Sequence, residues 1–312
     1  MRKVLLACLL IIITLSLIGC SEKSASENGV VNVVVSKDFG KEKLEDKNID
    51  ILDDVSVMEV MEENFDIETA YGGGFINAIN GLKSGFTGVK DKRKTDWFYY
   101  VNGILAGVGA REYHLKPDDI VIWDYHDWSN NTYGSSIIGA YPMNFINGHA
   151  DNVLKTEIIY EKNFEEESRK LLGFLKERGL KDIEIRELDE EQLEDGQINS
   201  IVIGRWNDVS KLSYINHIYE NGDKFGLFFK AEKSIQALNE KGDISKEYER
   251  GAIITSVIKE YGLTGTIWLI TGNDDNFIKK AVKLLYEDPE KIRGAFSVII
   301  IDDNIIDIPV KK

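Results

Sequence analysis

Residue types that do covalent or metal chemistry are thinly scattered in this chain, and their spacing frames no catalytic motif. Cys8 and Cys20 are the only cysteines of its 312 residues, so neither a disulfide framework nor a thiolate metal site can form in the body. Asp124, His126 and Asp127 are the densest ligand-type group, and strand alternation puts Asp124 and His126 on one face. Two ligands are only a fragment of a metal site. If 116–119 turns a hairpin, His114 falls opposite Val121, roughly 17 Å along the strand from His126, too far to share an ion. These residues are therefore expected to be solvated polar groups near a strand end. Thr271-Gly272-Asn273-Asp274-Asp275-Asn276 lies where a strand should hand over to a helix, a place where free N–H groups can hold phosphate. Its carboxylates oppose an anion, and Asn273 or Asp274 as a helix N-cap accounts for the same residues. No dinucleotide fingerprint or phosphate-loop lysine is present. Glu165-Glu166-Glu167 suits the positive end of a helix over 164–179. No Ser-His-Asp or Cys-His set stands in a nucleophile motif, so no catalytic residue is assigned and an enzyme is not expected.

What remains is aromatic. Alternation places Trp97, Tyr99 and Val101 on one strand face and Phe98 and Tyr100 on the other, while Val121, Trp123 and Tyr125 oppose Ile120, Ile122 and Trp128. Both faces are apolar, and a small domain needs only one for its core. The second must cover a ligand, a partner or the neighbouring part of the chain, and docking onto 156–312 serves as well as a ligand. Gly72-Gly73-Gly74 would let a flat ligand approach the backbone, although a turn or bulge explains glycine equally.

The elements that position these residues fall into two regimes. The first, over 31–128, is strand-rich: a strand at 31–35, a helix opened by the capping box Ser56-Val57-Met58-Glu59, a strand at 75–79, a hairpin turned at Asn102-Gly103, and a strand at 120–128 entered through Lys116-Pro117-Asp118-Asp119. Residues 131–155, rich in Asn, Gly and Ser, read as a connector that a protease should cut first if it is exposed; the competing account packs Tyr141, Pro142, Met143 and Phe145 into the interface. Beyond it strands at 156–160, 182–187, 199–204, 225–230, 266–271 and 296–301 alternate with helices at 164–179, 208–220, 247–261 and 274–287. Such alternation predicts a three-layer α/β domain over 156–312 with a largely parallel sheet. Length suits two domains, and 43% hydrophobic residues exclude a disordered chain. With 53 Asp+Glu against 38 Lys+Arg, a net charge of −15 excludes a partner held through its phosphate backbone, so no nucleic acid is expected.

Arg2 and Lys3 precede an uncharged apolar run over 4–18, too short for a span of about 20 residues and shaped like an export signal. The run ends in Leu17-Ile18-Gly19-Cys20, which resembles the lipobox of bacterial lipoproteins. That resemblance implies a signal peptide over 1–19, a diacylglycerol thioether on Cys20, acyl chains such as palmitate that anchor the chain to the cell membrane, a polar tether over 20–30, and an extracytoplasmic body. An uncleaved anchor with an ordinary Cys20 is the alternative.

The segment Tyr71 to Trp128 resembles the C-terminal β-domain of transcobalamin and intrinsic factor, in the form catalogued in bacterial lipoproteins as a domain of unknown function. The likeness rests on Gly73-Gly74-Phe75-Ile76-Asn77-Ala78-Ile79-Asn80-Gly81, Asp96-Trp97-Phe98-Tyr99-Tyr100-Val101-Asn102-Gly103, Gly107-Val108-Gly109-Ala110, Leu115-Lys116-Pro117-Asp118-Asp119-Ile120 and Trp128. It implies a β-grasp fold over 31–130 and a lid for one face of cobalamin, with Gly73, Gly74, Phe75, Trp97, Tyr99 and Trp128 as ligand-binding candidates. The helical barrel of those proteins is absent here, and 156–312 resembles no family. Three functions follow: a tethered protein that captures a corrinoid or related cofactor, with none required for folding, and passes it to a membrane transporter; a structural or protein-interaction lipoprotein of the cell envelope; or, weakest, an extracytoplasmic enzyme at the carboxyl edge of the α/β sheet.

Overall fold

The structure is a computed structural model that describes residues 29–87, 90, 92–129, 134–189, 193–260 and 262–311. Cys20, the signal peptide expected over 1–19 and most of the tether expected over 20–30 lie outside the described residues. The architecture is mixed α+β, with four sheets among the described residues.

The described residues from Gly29 to Asp127 build a five-stranded sheet and a small one. β1 (Gly29–Lys37) pairs antiparallel with β2 (Glu42–Ile51). Helix α1 (Val57–Asn64) follows, then β3 (Ile67–Ala70), β4 (Phe75–Ile79) and β5 (Leu82–Lys83), which form the small sheet. β6 (Thr95–Val101), β7 (Ile104–Leu105) and β8 (Ile120–Asp127) complete the larger one in the order β2-β1-β8-β6-β7, where only β1 and β8 run parallel. The predicted capping box forms: Glu59 N–H donates to Ser56 Oγ at 3.2 Å and Ser56 N–H to Glu59 Oε2 at 2.8 Å. The hairpin turns with positive φ at both Asn102 and Gly103, +51° and +80°, the backbone that an Asn-Gly pair tolerates best. Val57, Met58 and Met61 of α1 bury against Val31, Val33, Trp97, Val101 and Trp123. One sheet face therefore carries this unit's own core.

The other face docks onto the rest of the chain. Val34, Tyr100, Ile120 and Ile122 share a continuous core with Ile159, Val202, Ile253 and Leu269, joined by Ile137, Phe228 and Phe296. Of the accounts open for the second apolar face, docking onto 156–312 is the one observed. Residues 134–149 are no exposed connector: Ile137, Ile138, Ala140, Tyr141 and Phe145 are buried, the last in helix α2 (Met143–Ile146), and only the tip at 150–153 is exposed. A side chain at Gly139 would meet the Gly294 backbone at 2.5 Å, so the two segments touch there. The expectation of an early proteolytic cut falls for that buried stretch and is left to the exposed tip at 150–153.

Beyond it come β9 (Lys155–Tyr160), α3 (Glu165–Glu177), β10 (Ile183–Glu187), β11 (Ile198–Arg205), α4 (Trp206–Val209), α5 (Ser213–Glu220), α6 (Gly222–Phe225), β12 (Phe229–Ala231), β13 (Ile235–Leu238), β14 (Ile244–Tyr248), β15 (Ala252–Ile258), β16 (Thr266–Gly272), α7 (Asp275–Glu287), β17 (Ser297–Ile301) and β18 (Asn304–Ile308). The seven-stranded sheet has the order β10-β9-β11-β16-β15-β17-β18. Its first four strands are parallel and the remaining pairings antiparallel, which corrects the largely parallel sheet expected from sequence. The cause is 247–261, expected as a helix but occupied by the end of β14 and by β15, whose Ile253-Ile254-Thr255-Ser256-Val257-Ile258 run is mostly β-branched and buried on both faces. The helix expected over 208–220 breaks into α4 and α5, and the strand expected over 225–230 shrinks to β12. Helices α3 and α7 cover one sheet face through Leu171, Leu175, Ile278 and Leu285. The opposite face receives Trp206 of α4, Ile215 of α5 and the docked first unit.

Candidate functional site

Between β4, β6 and the segment after β7 lies a cavity of about 470 Å³, within the usual range of small-molecule sites. Phe75, Trp97, Tyr99, Trp123 and Trp128 supply its aromatic walls, and Gly74, Gly107 and Gly109 stand in the lining with them. Of the six candidates read from sequence, Gly74, Phe75, Trp97, Tyr99 and Trp128 line this one hollow. Gly73 lies one residue outside it, at φ +91°, and its carbonyl accepts a 2.7 Å hydrogen bond from Arg111 Nε. Trp128, expected on the face opposite Trp123, joins it in the lining because β8 ends at Asp127 and strand parity stops there.

The rings differ in how firmly they are held. Trp97 is 4% exposed, its indole N–H donates to the Leu82 carbonyl at 3.0 Å, and its ring meets Tyr125 at 5.3 Å. Tyr99 stacks on Trp123 at 4.8 Å and donates its hydroxyl to the Val108 carbonyl; burial holds that phenol above its ordinary range, so it stays protonated. Trp128 is half-buried, and its indole donates to Asp96 Oδ2 at 2.9 Å, while Ser84 Oγ donates to the other oxygen of that carboxylate. Asp96, the carboxylate of the lining, is thus occupied. The rim is open: a Cβ at Gly107 would meet nothing within 4 Å, and one at Gly74 only the Tyr71 carbonyl at 4.0 Å. A ligand can therefore reach backbone groups there. Sequence reasoning missed Asp96 and Trp123, though both stand within or beside the segments that carry the family likeness.

The remaining candidates resolve into structure. Asp124 and His126 are not solvated near a strand end: both are essentially unexposed, between the two halves of the chain. His126 Nδ1 lies 2.8 Å from Asp124 Oδ1, and its ring is sandwiched by Phe39 at 4.3 Å and Phe98 at 4.4 Å. Asp127 accepts from Ser129 N–H, and His114 pairs with Asp54, apart from both. No group of three metal-type side chains forms among the described residues. Asp274 is the N-cap of α7, accepting from Asn276 N–H at 2.9 Å, whereas Asn273 Oδ1 accepts from Gly251 N–H. Asp275 holds Arg205 Nε at 2.6 Å, and Glu161 takes Arg205 Nη1 at 2.7 Å.

One buried pair has the spacing of a catalytic dyad. Lys259 Nζ lies 2.8 Å from Ser200 Oγ, and burial pulls the lysine down to about 8. Both side chains are buried and line neither the aromatic cavity nor the hollow beside Trp206 and Asn273, so the pair is structural. The unfolded chain keeps this proton up to about 10.5 and the folded chain releases it near 8, so stability is expected to rise with pH between these values. Denaturant melts from pH 8 to 9.5 should gain roughly 1–2 kcal/mol, and Lys259→Met should remove that slope.

No curated protein matches the chain. Among solved structures, it is similar to haptocorrin in complex with Cbi, at 20% identity and a TM-score of 0.27, over 32% of this chain and 25% of that one. The chain thus spans about a quarter of the haptocorrin chain's length. A protein from Ruminococcus gnavus ATCC 29149 is similar at 17% identity and a TM-score of 0.24, over 32% of this chain and 97% of that one. Residues 54–127, which contribute most of the cavity wall, match a domain of unknown function (DUF4430), a family found in transcobalamin-like proteins.

Proposed function

We propose that this chain is a surface-tethered lipoprotein whose aromatic cavity captures a corrinoid, or a related cofactor, for delivery to a membrane transporter. The observation that carries the reading is the cavity itself: residues named from the transcobalamin-like motifs come together around about 470 Å³ of space with an aromatic wall and a glycine rim. A corrin is a broad, partly apolar plate edged by amides. Rings supply contact area to such a plate, and backbone groups exposed beside Gly74 and Gly107 can pair with its amides. A hollow of this size takes one edge of the plate rather than enclosing it. A β-grasp reading of the first unit is supported by the parallel β1–β8 pair, the antiparallel strands flanking it and α1 across one face. The protein-partner alternative arose from a second aromatic face, and the chain's own second half covers that face.

Two measurements test the reading. Titrating the chain from residue 21 with cobinamide, by calorimetry and tryptophan fluorescence, is expected to show saturable binding. Phe75→Ala and Trp128→Ala, at half-buried positions, should each weaken it by roughly 1–3 kcal/mol without moving the thermal melt. An intact melt with no heat or spectral change at high micromolar cobinamide sinks the ligand assignment. For the tether, mass spectrometry of the membrane-extracted N-terminus is expected to find diacylglycerol on Cys20, and an unmodified Cys20 behind an uncut leader rejects it.

A further inference from the structure

We infer that the ligand of the aromatic cavity carries a phosphate group, which Lys92 and Lys94 meet at the rim. The inference rests on the cavity being a small-molecule site, as proposed above, and on the charge arrangement around it. The chain is acidic by 15 charges, yet Lys92-Arg93-Lys94 sets three cations in a row, two of which aromatic rings tie to the wall of the hollow. All three are exposed, and none has an ion pair among the described residues. Aromatic rings hold two of them in place. Lys94 Nζ lies 5.3 Å from the ring centre of Trp128, a lining residue; Lys92 Nζ lies 4.8 Å from that of Phe86, whose ring meets Trp128 at 5.1 Å.

A cation over a ring face uses no hydrogen-bond acceptor, so each ammonium keeps its donors for another partner. The nearby carboxylate does not claim them: Asp96 accepts from Trp128 Nε1 and Ser84 Oγ. Arg111, next to the lining residue Ala110, is already engaged, since it binds Glu62 at 2.6 Å and the Gly73 carbonyl. Among the described residues, Lys92 and Lys94 thus have no ion-pair partner, Lys94 over the lining residue Trp128 and Lys92 over Phe86 beside it. Charges more than about 10 Å away are largely screened at ordinary salt, so these local cations rather than the net charge set what an anion experiences at the rim. A phosphate, with close to two charges and several acceptor oxygens, suits more than one ammonium.

The test compares cobinamide with its phosphate ester on the chain from residue 21, in 50 mM and 300 mM salt. The ester is expected to bind about five- to tenfold more tightly at low salt, with the preference shrinking at high salt. A Lys92→Gln, Lys94→Gln double variant should keep its melt and its cobinamide affinity while losing the preference. Equal affinities in the unaltered chain, or a preference that survives in the double variant, overturns the inference. If the folded chain binds neither compound, the cavity reading itself fails and this inference falls with it.

Discussion

Asp124→Ala is expected to lower the stability of the folded chain by about 3–5 kcal/mol, the usual cost of removing one member of a buried, hydrogen-bonded ionisable pair. The carboxylate receives four donors: Phe39 N–H at 3.0 Å, Gly40 N–H at 2.8 Å, Ser36 Oγ at 2.6 Å and His126 Nδ1 at 2.8 Å. Asp38, Phe39 and Gly40 all have positive φ, at +57°, +63° and +78°, a turn that a phenylalanine adopts only when its surroundings hold it. Asp124 does so by taking two successive N–H groups, which places the Phe39 ring against His126, Phe228 and Phe296. Alanine would take the acceptor from Phe39 N–H, Gly40 N–H and His126 Nδ1, leave Ser36 Oγ only the Trp123 carbonyl at 3.3 Å, remove the turn's anchor and loosen the seam between the two halves. Equilibrium denaturation in urea measures the loss. A variant within 1 kcal/mol of the parent would show that the seam is held by the apolar rings alone.

Part of this seam was legible in the sequence and part was not. Strand parity correctly grouped Phe98 with Tyr100 and Trp97 with Tyr99, because side chains alternate whatever the strand packs against. Which face would dock depends on contacts with residues more than a hundred positions away, such as Phe228 and Phe296, and no local pattern encodes that. The same limit explains Asp124 and His126, whose polarity signals solvent until the loop at 38–40 folds over them. Ser56-Glu59 and Asn102-Gly103 were readable because a capping box and a tight turn are settled within a few residues. β2 was not: Glu42–Ile51 alternates weakly, lies at a sheet edge and buries only Ile49 and Ile51, so its charges read as loop. β15 failed for the opposite reason, since a strand buried on both faces loses the period-two signal.

The cavity shows the same division between composition and placement. Its aromatic residues were identifiable from the motifs that resemble a known domain, but their separate duties depend on burial. Trp97→Ala is expected to cost about 3–5 kcal/mol of stability, the range for truncating a buried large aromatic, rather than to act as a clean binding variant. Its ring lies in the core formed with α1 and shares that core with Val33, Met58, Val101 and Trp123. Truncation would also strip the Leu82 carbonyl of its 3.0 Å donor, leaving β5 tied to β6 through Ser84–Asp96 and Gly85–Thr95. Sequence alternation alone makes Trp97 and Tyr99 equivalent ligand contacts; burial makes Trp97 a wall and leaves Phe75 and Trp128 as the positions whose loss the ligand should feel first. Thermal melts of Trp97→Ala, Trp97→Phe and Trp128→Ala separate the two duties. Trp97→Phe should recover most of the lost stability, and Trp128→Ala should melt within a few degrees of the parent. If Trp97→Ala melts like the parent and only cobinamide binding falls, the ring belongs to the ligand and not to the core.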